Sequence, residues 1–393
     1  MRATIEWSYE LLGPAEQQVF RRFAVFRGGA SLEAIEAVVD ATSDLVEALI
    51  DKSLVRRRLG RFVMLETIRE FARDEIDASE EGNEARRRHA HHYAAVADGA
   101  NLDAGNLRPG GQRLDVALAE QDNIRAALSW AIAAGEIAVG LRIAAAMEQF
   151  WVVNDPSEGT RWFSALFDSA GDDDAVDPGL RARALRAWGS SAGVAGDSDA
   201  ATDFYSRSLA LHEQLGDDHG RAVLLHRLGI MAMLRGELER ARALVLESHA
   251  IHKTADDTWG LAQTIGTLGA LARDAGDSNE AYELIGESAA LALEPGSSGG
   301  TRGCSSSWPR FRSRRGASTT PRARLGSRSR SLARSATTAA GSSASESLPP
   351  PQLFAARSIA PDGSGARSRT IGSGPRSVAG FGIERGAKRA SPR

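Results

Sequence analysis

The stretch AVLLHRLGIMAMLRGELERARALVLESHAI, residues 222–251, carries the pattern that sets the fold. Its residues recur 40 positions away in both directions. Gly236 is matched by Gly196 and Gly276, Ala241 by Ala201 and Ala281, and Ser248 by Ser208 and Ser288. Ile251 is matched by Leu211 and Leu291, and Ala222 by Ala182 and Ala262. Leu228-Gly229 answers to Trp188-Gly189 and Leu268-Gly269. A fixed period of roughly 20–50 residues marks a repeat architecture. Each unit reads as two helices, with small residues where the pair approaches closely and larger ones filling the gaps. LGDDHG (215–220) and ADDTWG (255–260) read as the longer loops. One helix pair cannot bury its own apolar face, so the units must stack into a solenoid.

Toward the N-terminus the pattern changes. Residues 81–172 read as a helical bridging region, with AEQDNIRAALSW (119–130) and the stretch Trp151–Trp162 in the core. His89, His91 and His92 crowd within RRRHAHHYAAVAD (86–98). No carboxylate or cysteine completes a metal site there, and the expectation is a solvated helix face. In residues 1–80, EWSYELLGPAEQQVFRRFAVF (6–26) reads as two helices split at Gly13-Pro14, because proline suits a first helical turn. Ser31 and Ser43 are the expected caps of a third and a fourth helix. SLVRRRLGRFVML (53–65) is two short β-rich runs around Leu59-Gly60, a hairpin signal. A further helix follows, with Ile68, Phe71, Ala72 and Ile76 on one stripe. Helices followed by such a hairpin form a winged-helix shape. The fold class is therefore mostly α: a winged-helix domain (1–80), the bridge (81–172), a repeat solenoid (173–296) and a disordered tail (297–393).

ATIEWSYELL (3–12), FAVFRGGASLEAIEAV (23–38), DKSLVRR (51–57) and FVMLETIREFA (62–72) resemble the winged-helix segment of bacterial signal-transduction ATPases of the STAND, or NB-ARC-like, class. That class includes AfsR-like and LuxR-type transcriptional regulators. The 40-residue units resemble the tetratricopeptide repeats of the same regulators. The resemblance implies an ATPase domain in a longer parent protein. No G-x-x-x-x-G-K-[ST] phosphate loop occurs in the chain, so no nucleotide cofactor and no enzymatic activity are expected of it. In many such ATPases a Met-His-Asp triplet senses nucleotide phosphates. The matching triplet here is Met64-Leu65-Glu66. Leu65 cannot donate a hydrogen bond, so the sensor role is not expected, and Glu66 reads as a carboxylate favoured at a helix N-terminus.

The resemblance also implies the partners: a protein or peptide on the concave face of the repeats. DNA is the rival partner. Arg56, Arg57, Arg58 and Arg61 flank the hairpin tip and could meet phosphate, but SLEAIEAVVDATSDLVEALIDK (31–52) is acidic throughout and should repel it. No catalytic constellation or metal-ligand spacing appears in the repeats. No apolar run reaches the roughly 18 residues of a membrane span. The single cysteine, Cys304, excludes a disulfide framework and fits a reducing, cytoplasmic setting.

Charge divides the chain. Residues 297–393 hold 18 Lys+Arg and 3 Asp+Glu, against 30 and 48 in residues 1–296. Read one nucleotide out of register, the codons behind the tail allow another helix-pair unit at the same 40-residue period. The expectation is that the tail from about residue 295 is an out-of-frame translation, with an evolved Arg/Ser-rich nucleic-acid-binding tail as the alternative. The helix AYELIGESAALALE (281–294) should then lack its natural neighbour, leaving a stripe including Leu284, Leu291 and Leu293 uncovered.

Overall fold

A computed structural model describes residues 2–79, 81–103, 113–170 and 176–293. The expectations for the tail 297–393 lie outside the described residues. All described residues belong to one compact unit.

The first part has helices α1 (Arg2–Glu10), α2 (Pro14–Phe23), α3 (Leu32–Val39) and α4 (Ser43–Asp51). Strands β1 (Arg56–Arg58) and β2 (Arg61–Val63) and helix α5 (Glu66–Asp77) follow. Pro14 opens α2, and Ser31 caps α3 by accepting from the Ala34 amide at 3.1 Å. The cap of α4 differs from expectation by one residue. Thr42 holds the extended cap position and Ser43 is already helical. β1 and β2 pair antiparallel across a two-residue turn, with Arg58 opposite Arg61. Leu59 and Gly60 both adopt positive φ, 50° and 77°, which is what a tight hairpin turn demands. The loop before α3 holds the hairpin in place, since Ala30 exchanges backbone hydrogen bonds with Phe62 at 2.8 and 2.9 Å.

Helices α6 (Glu81–Gly99), α7 (Leu114–Ala134), α8 (Ile137–Ala146), α9 (Glu148–Asn154) and α10 (Pro156–Ala170) come next. Their core is continuous with that of the first part, from Ile5 to Ala187. Trp151 is fully buried in it, and Trp162 packs at its edge.

The array consists of α11 (Pro178–Val194) with α12 (Ser198–Leu215), α13 (Asp218–Leu234) with α14 (Leu238–Thr254), and α15 (Thr258–Ala275) with α16 (Ser278–Leu293). The recurring residues build the joints. The Ser208, Ser248 and Ser288 hydroxyls donate to the Ala182, Ala222 and Ala262 carbonyls, each at 2.7 Å. Gly229 lies against Val245, whose Cγ2 would sit 2.6 Å from an added Cβ, so only glycine lets the pair close to this distance. Gly196, Gly236 and Gly276 turn the chain within each pair at positive φ. α13 touches α15 directly, with His226 Nε2 2.8 Å from Thr267 Oγ1. The backbones of α12 and α14, and of α14 and α16, approach less closely, and α14 reaches α16 through Arg242, which donates to Glu280 at 3.1 Å. The first helices of the second and third pairs, α13 and α15, therefore lie on the tighter, inner line of the stack.

Among the described residues the outer face of α16 is exposed at Leu293, as expected, and otherwise at different residues than expected. Leu284 and Leu291 are half-buried, whereas Tyr282, Ile285 and Leu293 are exposed. No described helix is long and apolar enough to cross a membrane.

Candidate functional site

The triplet Met64-Leu65-Glu66 sits where β2 hands over to α5. Met64 packs against the core, Leu65 is exposed at the cap position, and Glu66 is the first helical residue. Glu66 accepts from Arg69 Nε at 2.9 Å and from a second nitrogen of the same guanidinium. That hydrogen bonding holds its carboxyl below the usual carboxylate range. Glu66 opens onto a cleft of about 690 Å³ between the loop after α2 and helices α5, α6 and α7. Arg27, Arg69, Arg73, Arg86 and Arg125 line it, with Asp122 and Glu66 as its carboxylates. Three of these arginines are paired, Arg69 with Glu66, Arg86 with Asp77 and Arg125 with Glu158, which leaves Arg27 and Arg73 to carry the cleft's remaining positive charge.

His89 stands in the same wall, and here the solvated-face expectation is corrected. Its ring is buried 3.4 Å from Asn123 Oδ1, and burial pushes its pKa down to about 3. The buried stripe of Ala85, Ala90, Tyr93, Ala94 and Ala97 carries this face inward, and Asn123 is the polar partner that His89 meets there. It accepts from the Arg27 amide at 2.7 Å and donates to the Gly29 carbonyl at 2.9 Å. These ties span more than ninety residues, so no local pattern could announce them.

Arg61 is likewise removed from the basic surface of the hairpin. It makes a two-pronged pair with Glu120 of α7 and donates to the Gly29 carbonyl at 2.9 Å. Arg56, Arg57 and Arg58 remain exposed on β1. Facing solvent on α3 and α4 are Glu33, Glu36, Asp44, Glu47 and Asp51, which keeps that part of the surface anionic.

Between units the array carries a second recurring joint. His212 Nδ1 lies 2.8 Å from Asp217 Oδ2, and His252 Nδ1 lies 2.8 Å from Asp257 Oδ2. The other oxygen of each aspartate accepts the Gly220 or Gly260 amide, at 3.0 and 3.1 Å. His219 approaches the second of these joints, with Nδ1 3.8 Å from Asp257 Oδ2. Sequence spacing gave no sign of this trio, which forms only when the pairs stack. At the C-terminal ends of α11 and α13, Val194 and Leu234 occupy equivalent positions one period apart, and both are exposed.

No family model matches the chain. It is 36% identical over 237 residues to proteins named as HTH-type transcriptional regulators in two strains of Mycobacterium tuberculosis and in Mycobacterium bovis. Among solved structures, a STAND protein with a tetratricopeptide repeat sensor from Pyrococcus horikoshii is 12% identical, over 75% of this chain and 53% of that one, with TM-score 0.36. Aspartyl phosphate phosphatase F from Bacillus subtilis is 10% identical, over 75% of this chain and 69% of that one, with TM-score 0.44. At such scores the repeat assignment rests on the chain's own helix pairs. The match to the mycobacterial proteins takes in 55% of this chain but only 26% of theirs, so the chain spans about a quarter of the length of the curated relatives it matches.

Proposed function

We propose that the chain is a non-catalytic interaction arm of a transcriptional regulator of the STAND, NB-ARC-like type, in the AfsR-like and LuxR-type group. On this reading residues 1–80 are a winged-helix module, residues 81–172 a bridge, and residues 173–296 an array that takes a protein or peptide along its inner face. The observation that carries it is the stack of 40-residue helix pairs whose joints are all internal. Joints of that kind leave a long, continuous face free for an extended partner. The likeness to proteins named as transcriptional regulators supports the regulatory setting. The arginine cleft beside Glu66 is then the side that meets the ATPase domain of a longer parent.

Exposed Arg56, Arg57 and Arg58 favour a second reading, DNA binding through the hairpin. The anionic surface of α3 and α4 opposes it. One experiment separates the two. Tagged full-length protein is recovered from its native cells at about 150 mM salt with excess nonspecific DNA as competitor. The same recovery is made with a Val194→Glu, Leu234→Glu double variant. The interaction reading expects a defined protein partner whose yield falls about tenfold in the variant. Specific genomic fragments retained equally by both proteins, with no such partner, would establish the DNA reading instead.

A further inference from the structure

We propose that His219, His252 and Asp257 form a binding site for a transition-metal ion of the zinc class, bridging the second and third helix pairs. The three come from three places in the array. His219 is the second residue of α13, His252 lies in the last turn of α14, and Asp257 caps the start of α15. One donor atom from each lies within 4.8 Å of the other two. His252 Nδ1 stands 2.8 Å and His219 Nδ1 3.8 Å from Asp257 Oδ2. Donors on a tetrahedral zinc ion with bonds of about 2.1 Å lie about 3.4 Å apart. The two observed separations bracket that value. His219 is exposed, so its side chain can close the remaining gap without moving the backbone, while buried His252 and the helix-capping Asp257 give a fixed base.

The repeat supplies an internal control. One period earlier the same joint exists, with His212 2.8 Å from Asp217 and the same glycine packed beneath the ring. The residue at the position of His219 is there Gly179. The histidine–aspartate pair is thus part of the turn between units and needs no metal. A second imidazole against that pair is what the turn does not require. One period later Ala292 replaces the histidine, so among the three units a full ligand set arises once.

The donor set selects the ion. Two imidazoles and one carboxylate suit zinc, nickel or copper, whereas magnesium and calcium prefer all-oxygen surroundings. A neutral imidazole carries one N–H. Coordination through His252 Nδ1 therefore leaves its proton on Nε2, and the metal takes over the bond to Asp257. Three protein ligands leave a fourth position for water. Held this way, the ion would pin the start of α13 to the turn between α14 and α15.

The test uses the full chain without a histidine tag, stripped with EDTA and dialysed. Zinc is titrated by calorimetry, and cobalt is followed by its visible absorption. One equivalent should bind with a dissociation constant of about 1–10 µM, and zinc should raise the melting temperature. His219→Ala should melt at the same temperature as the wild type in EDTA, bind at least about tenfold more weakly and lose the zinc-induced rise. His91→Ala, at the exposed histidine of α6, should bind like the wild type. The proposal is overturned if the wild-type chain binds no tighter than about 100 µM. It is equally overturned if His219→Ala keeps full affinity, which would place any bound metal elsewhere.

Discussion

The hydroxyl of Ser248 donates to the carbonyl of Ala222 at 2.7 Å, across 26 residues and between the two helices of one pair. Ser208 and Ser288 repeat the bond in the neighbouring pairs. The Ser208 and Ser248 residues are fully buried, whereas Ser288 is partly exposed. Replacing either of the first two by alanine should cost about 1 kcal/mol, the usual net worth of a buried hydrogen bond. Ser288→Ala should cost less, because water can satisfy what it leaves. Urea denaturation of the three variants gives the order directly, and equal losses at all three would contradict the burial argument.

Glycines in this chain divide sharply by surroundings. A Cβ added at Gly260 would stand 2.1 Å from Nδ1 of buried His252, whereas at Gly286 nothing lies within 4 Å. Gly260→Ala should therefore destabilise by about 1–3 kcal/mol through overpacking. Gly286→Ala, inside α16, should stabilise by about 0.5–1 kcal/mol. Thermal melts of the two variants should move in opposite directions.

Acid should weaken the fold well before its carboxylates titrate. Burial depresses the pKa of both His89 and His226 from 6.5 to about 3. Below about pH 6.5 the unfolded chain takes up a proton at each, while the folded chain does not until about pH 3. Stability present above pH 6.5 is thus lost as the pH falls, by about 2 kcal/mol per histidine at pH 5. Asp257, held near 2, acts only in a lower window, below about pH 4. Urea midpoints at pH 7 and pH 5 should differ accordingly, and His226→Gln should remove part of the difference, since burial also lowers His92, His212 and His249. A pH-independent midpoint would mean that these rings are hydrated.

The final helix should be the weakest part of the array. Ile285 is 45% exposed, while Val245 and Tyr205 at the equivalent positions are 0% and 3%. Leu268 and Leu271 of the next pair cover Val245, and Leu228 and Met231 cover Tyr205. Hydrogen exchange should be faster in α16 than in α14. Val245→Ser should cost about 2–3 kcal/mol and Ile285→Ser under about 1. Equal protection of the two helices would show that α16 is capped.

The array was legible in the sequence because its spacing is set by close approach. Ser248, Ala222 and Gly229 are small for reasons the structure repeats every 40 residues, so the period itself encoded the joints. The hairpin was legible because Leu59-Gly60 is a purely local signal. His89 and Arg61 were not legible. Each is decided by α7, where Asn123 and Glu120 await them 34 and 59 residues away. A charged or imidazole side chain looks like surface until its distant partner is known. The same holds for His219, which meets Asp257 only across stacked pairs.

The serine–alanine joint also has a genetic consequence. Every bond of this kind is contained within one pair, and the pairs meet one another through equivalent surfaces. Excision or duplication of 120 nucleotides anywhere inside the array would again set a serine opposite an alanine and a glycine at each turn. Loss of 60 would instead bring two like helices together with no joint between them. Changes in length by whole units are therefore the ones this design accommodates at its serine–alanine joints.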